Sequence, residues 1–439
     1  MNYSPKEIHI IGAGLAGCEA AWQASRSGCQ VVLYEMKPHQ YSPAHHSSHF
    51  AELVCSNSLK SNSLDNASGL LKEELRFLNS LIISKADAHK IPAGSALAVD
   101  RITFSEDITA TLEKEKNITV VRQEITGIPS EGMVIIATGP LTSPALSEHL
   151  KNLIGNEFLY FHDAISPIVE TDSIDFSKAF KASRYNKGDA DYINCPLSQE
   201  QYYAFVNGLT RAETVPLKEF ETLIPYEGCM PVEVMAARGV ETLAFGPMKP
   251  VGLTDPHTGR RPYAVVQLRQ ENQEGNLYNM VGFQTRLKWP EQKRVFSMIP
   301  GLSAASFVRY GSLHRNTYIH SPTLLLKTLQ LKSNPRIFFA GQITGVEGYV
   351  ESAAMGLVAG IQASRFALGL NPATPPATTM TGALLAYITS PYSINFQPMN
   401  ANFGILPPLV PAVRKRERKQ KYAERALQAI KDWGNSLIK

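Results

Sequence analysis

A parallel α/β unit interrupted by an inserted α+β stretch is the fold class the sequence predicts. Three observations carry that reading: a glycine-rich turn between an apolar run and a helical stretch near the N-terminus, two later strand-and-turn segments of similar character, and a change of pattern between them. At 439 residues the chain has room for two or three domains, given roughly 100–200 residues for each. Its composition, 44% hydrophobic and 19% charged, is that of a globular protein and excludes disordered, collagen-like and coiled-coil chains.

The first element is the apolar run Glu7-Ile-His-Ile-Ile11, followed at once by Gly12-Ala13-Gly14-Leu15-Ala16-Gly17 and an Ala-rich helical stretch to about Ser27. Residues 30–35 read as a second strand ending at Glu35. Strand, glycine turn, helix and strand in that order make the G-x-G-x-x-G pattern a dinucleotide-binding signal. Gly12 permits the tight turn, Gly14 lets backbone N–H groups approach a pyrophosphate at the positive end of the helix, and Gly17 lets the helix sit close on the strand. Glu35 is placed to accept hydrogen bonds from ribose hydroxyls.

Two later segments indicate which dinucleotide. Residues 133–140 read as a buried strand ending in an Ala-Thr-Gly turn, and residues 336–341 as another, with a turn through Gly341, Gln342, Gly345 and Gly348 into a helix from about Val350 to Phe366. The small residues Ala353, Ala354, Gly356, Ala359 and Gly360 would let that helix pack closely on the sheet, and its positive end could face an electron-rich ring. A unit of this kind returning to an N-terminal dinucleotide motif is how a Rossmann-like, two-dinucleotide-type FAD-binding domain is built. Between about 170 and 320, strand-like segments at 263–268 and 277–283 follow each other with no helix of useful length between them, which predicts an inserted domain containing antiparallel strands. The expected division is therefore 1–170 and 321–439 for the two parts of the FAD domain and 171–320 for the insertion. Residues 371–378 read as a linker.

Net charge is only +4, yet residues 411–439 hold nine Lys/Arg against three acidic residues, leaving a +6 tail on a body of −2. Tyr422, Ala426, Ile430 and Trp433 recur at helical spacing in that tail, predicting a helix with one packed face and one basic face.

Five widely spaced cysteines with no C-x-x-C pair do not form a disulfide framework and fit a reducing compartment. The absence of a signal-type apolar core and of any run near 20 apolar residues adds the expectation of a soluble cytoplasmic protein. Cys229 lies in Tyr226-Glu-Gly-Cys-Met-Pro-Val-Glu-Val-Met235; Pro231 suits the first position of a short helix and Gly239 the position after its end. That would set the thiol just outside a helix N-terminus, where thiolate is favoured. Cys55, in a Ser- and Asn-rich loop, is a second candidate, whereas Cys18 and Cys29 flank the first helix and read as structural. His39, His45, His46 and His49 match no zinc spacing, so no metal site is expected.

The segments Ile11 to Trp22, Tyr34-Glu-Met-Lys-Pro38, Phe50 to Leu59, Glu227 to Met235, Phe245 to Leu253, Gly341 to Ser352 and Asn395 to Phe403 together closely resemble the folate- and FAD-dependent tRNA (uracil-5-)-methyltransferases, the TrmFO family. The resemblance implies methylation of C5 of a T-loop uridine in tRNA, with 5,10-methylenetetrahydrofolate as one-carbon donor and FAD reduced by NAD(P)H. Closely similar proteins act on ribosomal RNA, and a related flavin-dependent family modifies the tRNA wobble uridine; these are the alternatives. By the family's pattern Cys229 is the nucleophile, Cys55 assists near the flavin as thiol or base, and His314 stacks on the folate pterin. Gln342 stands where many FAD enzymes carry Asp, so a carboxylate contact to the ribityl chain is not assumed.

Overall fold

The structure, a computed structural model, describes residues 7–155, 159–186, 189–216, 230–391 and 396–437. Six strands form the main sheet in the order Gln330–Leu331, Asn334–Phe339, Met133–Ile136, Glu7–Ile11, Gln30–Glu35, Ile118–Arg122. Every neighbouring pair is parallel except the first. Ile8, Ile10, Val134, Ile135 and Ile136 are inaccessible to solvent, as strands covered on both faces require.

The predicted turn forms as expected. Gly12 adopts φ +99°, and its N–H donates to the Tyr34 carbonyl at 2.9 Å. Ala137 N–H donates to Ile11 O and Ala340 N–H to Ile136 O, both at 2.9 Å. The carboxyl ends of four strands are thereby tied together, which is where open parallel sheets bind ligands. The helix Leu15–Arg26 then starts at Gly14 so close to the turn that a Cβ on Gly17 would lie 1.8 Å from the Gly12 carbonyl oxygen.

The helix Tyr349–Ala367 is buried along almost its whole length. Its two glycines meet the first helix rather than the sheet: a Cβ on Gly356 would fall 2.2 Å from Ala16 O, and one on Gly360 2.6 Å from Ala20 O. The small residues therefore serve a helix-to-helix approach that periodicity alone does not distinguish from helix-to-sheet packing.

A second six-stranded sheet runs Phe180–Lys181, Tyr192–Leu197, Ala264–Gln270, Leu277–Met280, Ile168–Glu170, Phe307–Arg309, antiparallel throughout. Its strand Ile168–Glu170 comes from the stretch ahead of residue 171. The predicted strand at 277–283 ends early, at Met280, because Gly282 turns the chain with φ +77°. This sheet carries its own core, with Tyr202, Phe205, Phe283 and Phe296 fully buried.

The tail forms the helix Arg418–Ser436, burying Ala423, Ala426, Ile430 and Trp433, while Tyr422 stacks on Phe403 at its margin. Trp433 Nε1 donates to Ala373 O at 3.1 Å, and Gln362 bonds both backbone groups of Ala373. The stretch at 371–378 is thus fastened to two helices rather than being a free linker. Among the described residues no helix is long and apolar enough to cross a membrane.

Gly356→Ala is expected to lower the urea midpoint by an amount equivalent to about 1–3 kcal/mol, the usual cost of overpacking. An unchanged midpoint would contradict the close approach of the two helices.

Candidate functional site

Two cavities meet at the carboxyl edge of the parallel sheet. The first is a cleft open to solvent, spanning about 1110 Å³, and is lined by Gly12, Ala13, Gly14, Leu15 and Ala16, by Glu35, and at its other end by Gly341, Gln342 and Tyr349. Ala13 N–H donates to Glu35 Oε2 and Lys37 N–H to Glu35 Oε1, each at 3.0 Å. The carboxylate is held on the turn with lone pairs to spare. A Cβ on Gly14 would meet nothing within 4 Å, so the space ahead of the helix N-terminus is open. Gly17, by contrast, is a packing residue outside the cavity. Gly341, at φ +80°, has the Ala16 side chain 2.6 Å from where its Cβ would lie, and Gln342 Nε2 donates to Glu347 Oε2 at 2.6 Å. An open helix terminus, a fixed acid on the second strand and a second glycine turn fit an extended dinucleotide such as FAD.

The second cavity, likewise open to solvent, spans about 1310 Å³ and shares Gln342 and Tyr349 with the first. Cys55, Arg269, Gly348 and Glu351 line it. Tyr349 Oη accepts from Cys55 N–H at 2.8 Å and Ser56 N–H at 3.3 Å, and lies 2.8 Å from Cys55 Sγ. Two N–H donors occupy the oxygen's lone pairs, so the phenol proton is directed at the sulfur. Burial holds the Tyr349 hydroxyl well above its ordinary pKa, which keeps that proton in place.

Buried Arg269 donates to Asn57 Oδ1 at 3.1 Å and Ser56 Oγ at 2.8 Å, and Arg309 donates to Val54 O. Both guanidiniums interact with Cys55, and burial pulls both below their ordinary pKa. Fully buried Glu351 accepts from Lys60 Nζ at 3.1 Å and Ala401 N–H at 3.0 Å through Oε1. Its Oε2 is buried with no hydrogen-bond partner among the described residues. Such an orphaned acceptor costs about 1–3 kcal/mol and suits a bound group with an N–H to offer.

Other expected positions fall apart from this cluster. Cys229 lies outside the described residues, and the helix following it is Val232–Ala237, with Pro231 at its cap rather than its first turn. His314 lies on the strand Ser312–Tyr318, opposite Asp163 of the antiparallel strand Leu159–Ile165; its side chain lies outside the described residues. None of the four described cysteines is in a disulfide. Cys18 and Cys195 are fully buried and their thiols pushed up by desolvation, Cys195 to about 12, which makes them inert. Among the described residues no group of His, Cys, Asp or Glu could hold a metal ion. Sequence reasoning passes over Tyr349, Arg269 and Glu351. Cys55 is the side chain of the cluster that sequence reasoning marks; Glu351, acidic in the first turn after a glycine-rich loop, is the local signal that could have marked the rest.

The family described as Glucose inhibited division protein A matches residues 7–371. A protein of Geobacter sulfurreducens named methylenetetrahydrofolate--tRNA-(uracil-5-)-methyltransferase TrmFO is 60% identical over 427 residues, covering 97% of this chain and 98% of the relative. The like-named protein of Heliobacterium modesticaldum is 61% identical over 424 residues, covering 96% and 97%. The chain belongs to the TrmFO family. GidA of Aquifex aeolicus superposes on this TrmFO family member with a TM-score of 0.71 at 18% identity, covering 98% of this chain and 76% of that one; at that identity the likeness is one of fold.

Lys72, fully buried behind the second cavity, donates to Leu59 O at 2.7 Å and Ser68 O at 3.0 Å. Burial brings its pKa from the ordinary 10.5 down to about 7, against the pull of Glu351. Between those two values the unfolded chain holds the extra proton, so stability rises with pH from about 7 to 10.5 and is lost as pH falls back. Thermal melts across that window are expected to show a flatter pH dependence for Lys72→Met than for the wild type; identical slopes would contradict the assignment.

Proposed function

We propose that this protein methylates C5 of a T-loop uridine in tRNA, taking the one-carbon unit from 5,10-methylenetetrahydrofolate and its reducing equivalents from NAD(P)H through FAD. The observation that carries this reading is identity of about 60% over nearly the full chain to proteins named for that reaction, joined to a site that pairs a dinucleotide cleft with a thiol cavity. Uracil C5 is a poor nucleophile until a thiolate adds at C6 and places enolate character on the ring. That role is proposed for Cys229. Cys55, with Tyr349 directing a proton at its sulfur and two guanidiniums nearby, is proposed as the base that removes the C5 proton. Reduced FAD, when bound, supplies the hydride that turns the transferred methylene into methyl. Gly12, Ala13, Gly14, Leu15, Ala16, Glu35, Gly341, Gln342 and Gly348 are proposed to hold it, Gly17 to serve only by letting the helix close on the turn, and His314 to stack on the folate.

Two sheets with separate cores support a division into a dinucleotide unit and an insertion, proposed at 1–170 with 321–439 and at 171–320, although the strand Ile168–Glu170 pairs within the insertion's sheet and draws that boundary back. The cytoplasm is the proposed compartment. Arg414, Lys415, Arg416 and Arg418 are exposed and are proposed to contact RNA phosphates.

Holoprotein supplied with unmodified tRNA, methylenetetrahydrofolate and NADPH is expected to form 5-methyluridine, and Cys229→Ala to form none while retaining its flavin. Product formed only with S-adenosylmethionine would overturn the folate chemistry, and product formed only in ribosomal RNA fragments would move the substrate. An active Cys229→Ala enzyme would reject that nucleophile.

Replacing the four tail residues by Gln is expected to weaken tRNA binding and flatten its salt dependence, because each lost phosphate contact removes about 0.7–0.9 from the log–log salt slope. Unchanged binding would return these residues, of which only Arg418 lies on the helix, to a merely solvated surface.

A further inference from the structure

On the inserted sheet, three aromatic rings lie nearly parallel in a row. Trp289 stacks on Tyr310 with centroids 5.5 Å apart at 15°, and Tyr310 on Phe307 at 5.6 Å and 16°. The inner end is anchored, Phe307 resting on fully buried Phe296. The outer end is open: Trp289 is 64% exposed although Tyr310 covers part of it. Exposure alone does not single it out, since Phe245 is more exposed still; the ordered row of rings behind it does.

Its surroundings carry three exposed cations, two of them paired with carboxylates, and are linked through the chain to the thiol segments. Lys288, Lys293 and Arg294 are exposed on or beside the helix Trp289–Phe296, which Trp289 begins. Glu291 pairs with Arg294 and Glu213 with Lys288. Arg309, adjacent to Tyr310, bonds Val54 O beside Cys55. The chain leading into Trp289 holds the helix that follows Cys229: Val232 N–H donates to Gln284 O at 2.7 Å, and Glu233 accepts from Thr285 Oγ1 at 2.8 Å and Arg286 N–H at 3.0 Å.

We propose that Trp289 is the outer plate of a stacking platform for an unpaired base of the RNA substrate, next to the uridine that enters the thiol cavity. This inference rests on the RNA substrate proposed above. An RNA base offers a flat π-face of the size of an indole, stacks on aromatic side chains without regard to sequence, and brings the phosphates that the flanking cations meet. A rigid row of rings anchored in a core presents that face already ordered.

The test uses holoenzyme and unmodified tRNA, with affinity and single-turnover 5-methyluridine formation measured for Trp289→Ala, Trp289→Leu and Trp289→Phe. The Ala and Leu variants are expected to lose about tenfold in affinity, within the range for one base stacked on one ring, with flavin content and the rate of flavin reduction by NADPH unchanged. The Phe variant is expected to recover most of the loss. Leu keeps apolar cover on Tyr310 without a π-face, so a Leu variant equal to wild type reduces the platform to packing and overturns the proposal. Ala and Leu variants that bind tRNA within twofold of wild type overturn it as well, and so does a shift in sedimentation that makes the face a contact between copies of this chain. If wild-type enzyme neither binds nor methylates tRNA, the substrate reading fails first and the platform falls with it.

Discussion

The helix Leu15–Arg26 is pressed against backbone on two sides, and the rest of the site depends on that double contact. On one side it meets the Gly12 turn through Gly17, and on the other it meets the helix Tyr349–Ala367 through Gly356 and Gly360. Neither approach admits a methyl group. With both in place, the N-terminus of the first helix and the turn at Gly341 to Gly348 border one cleft, and Tyr349, first residue of the second helix, reaches the boundary between the two cavities. Backbone against backbone is a stiff coupling, because interiors at crystal-like packing density have no slack to absorb a shift.

That stiffness gives the thiol cavity its chemistry. Tyr349 is fixed by the helix it begins, so its hydroxyl can hold two N–H donors and Cys55 Sγ together. Arg269 arrives from the antiparallel sheet and Arg309 from that sheet's edge, so the Cys55 loop is clamped by the insertion as well as by the nucleotide unit. Buried polar groups from three parts of the chain are satisfied mutually, which is what makes such a network specific in geometry.

The sequence made the frame legible and the clamp illegible, for a physical reason. A strand, a glycine turn and a helix are short-range features, and Gly12 to Glu35 read correctly because every requirement of that turn falls within about two dozen residues. Cys55 and Tyr349 are 294 positions apart, Val54 and Arg309 255, and Ser56 and Arg269 213. No periodicity spans such distances. The same limit explains why the small-residue helix was expected against the sheet: its pattern says that something approaches closely and leaves open what. The stretch at 371–378 misled in another way, because proline-rich composition reads as a linker whether or not its backbone is fastened, and Ala373 is fastened by Gln362 and Trp433.

The fastening of the tail has a thermodynamic consequence. Basic arms that meet nucleic acid are commonly unstructured, and their ordering then sets the entropy and heat capacity of association. Here Ile430 and Trp433 already lie in the core and the helix Arg418–Ser436 is already wound. The cations on its outer face are presented by a body that has little left to order. In the RNA contact proposed above, the cations wound into this helix, Arg418 among them, would therefore act through released counterions with almost no heat-capacity signature of their own, and calorimetry over a range of temperatures would read them as salt-sensitive but thermally silent.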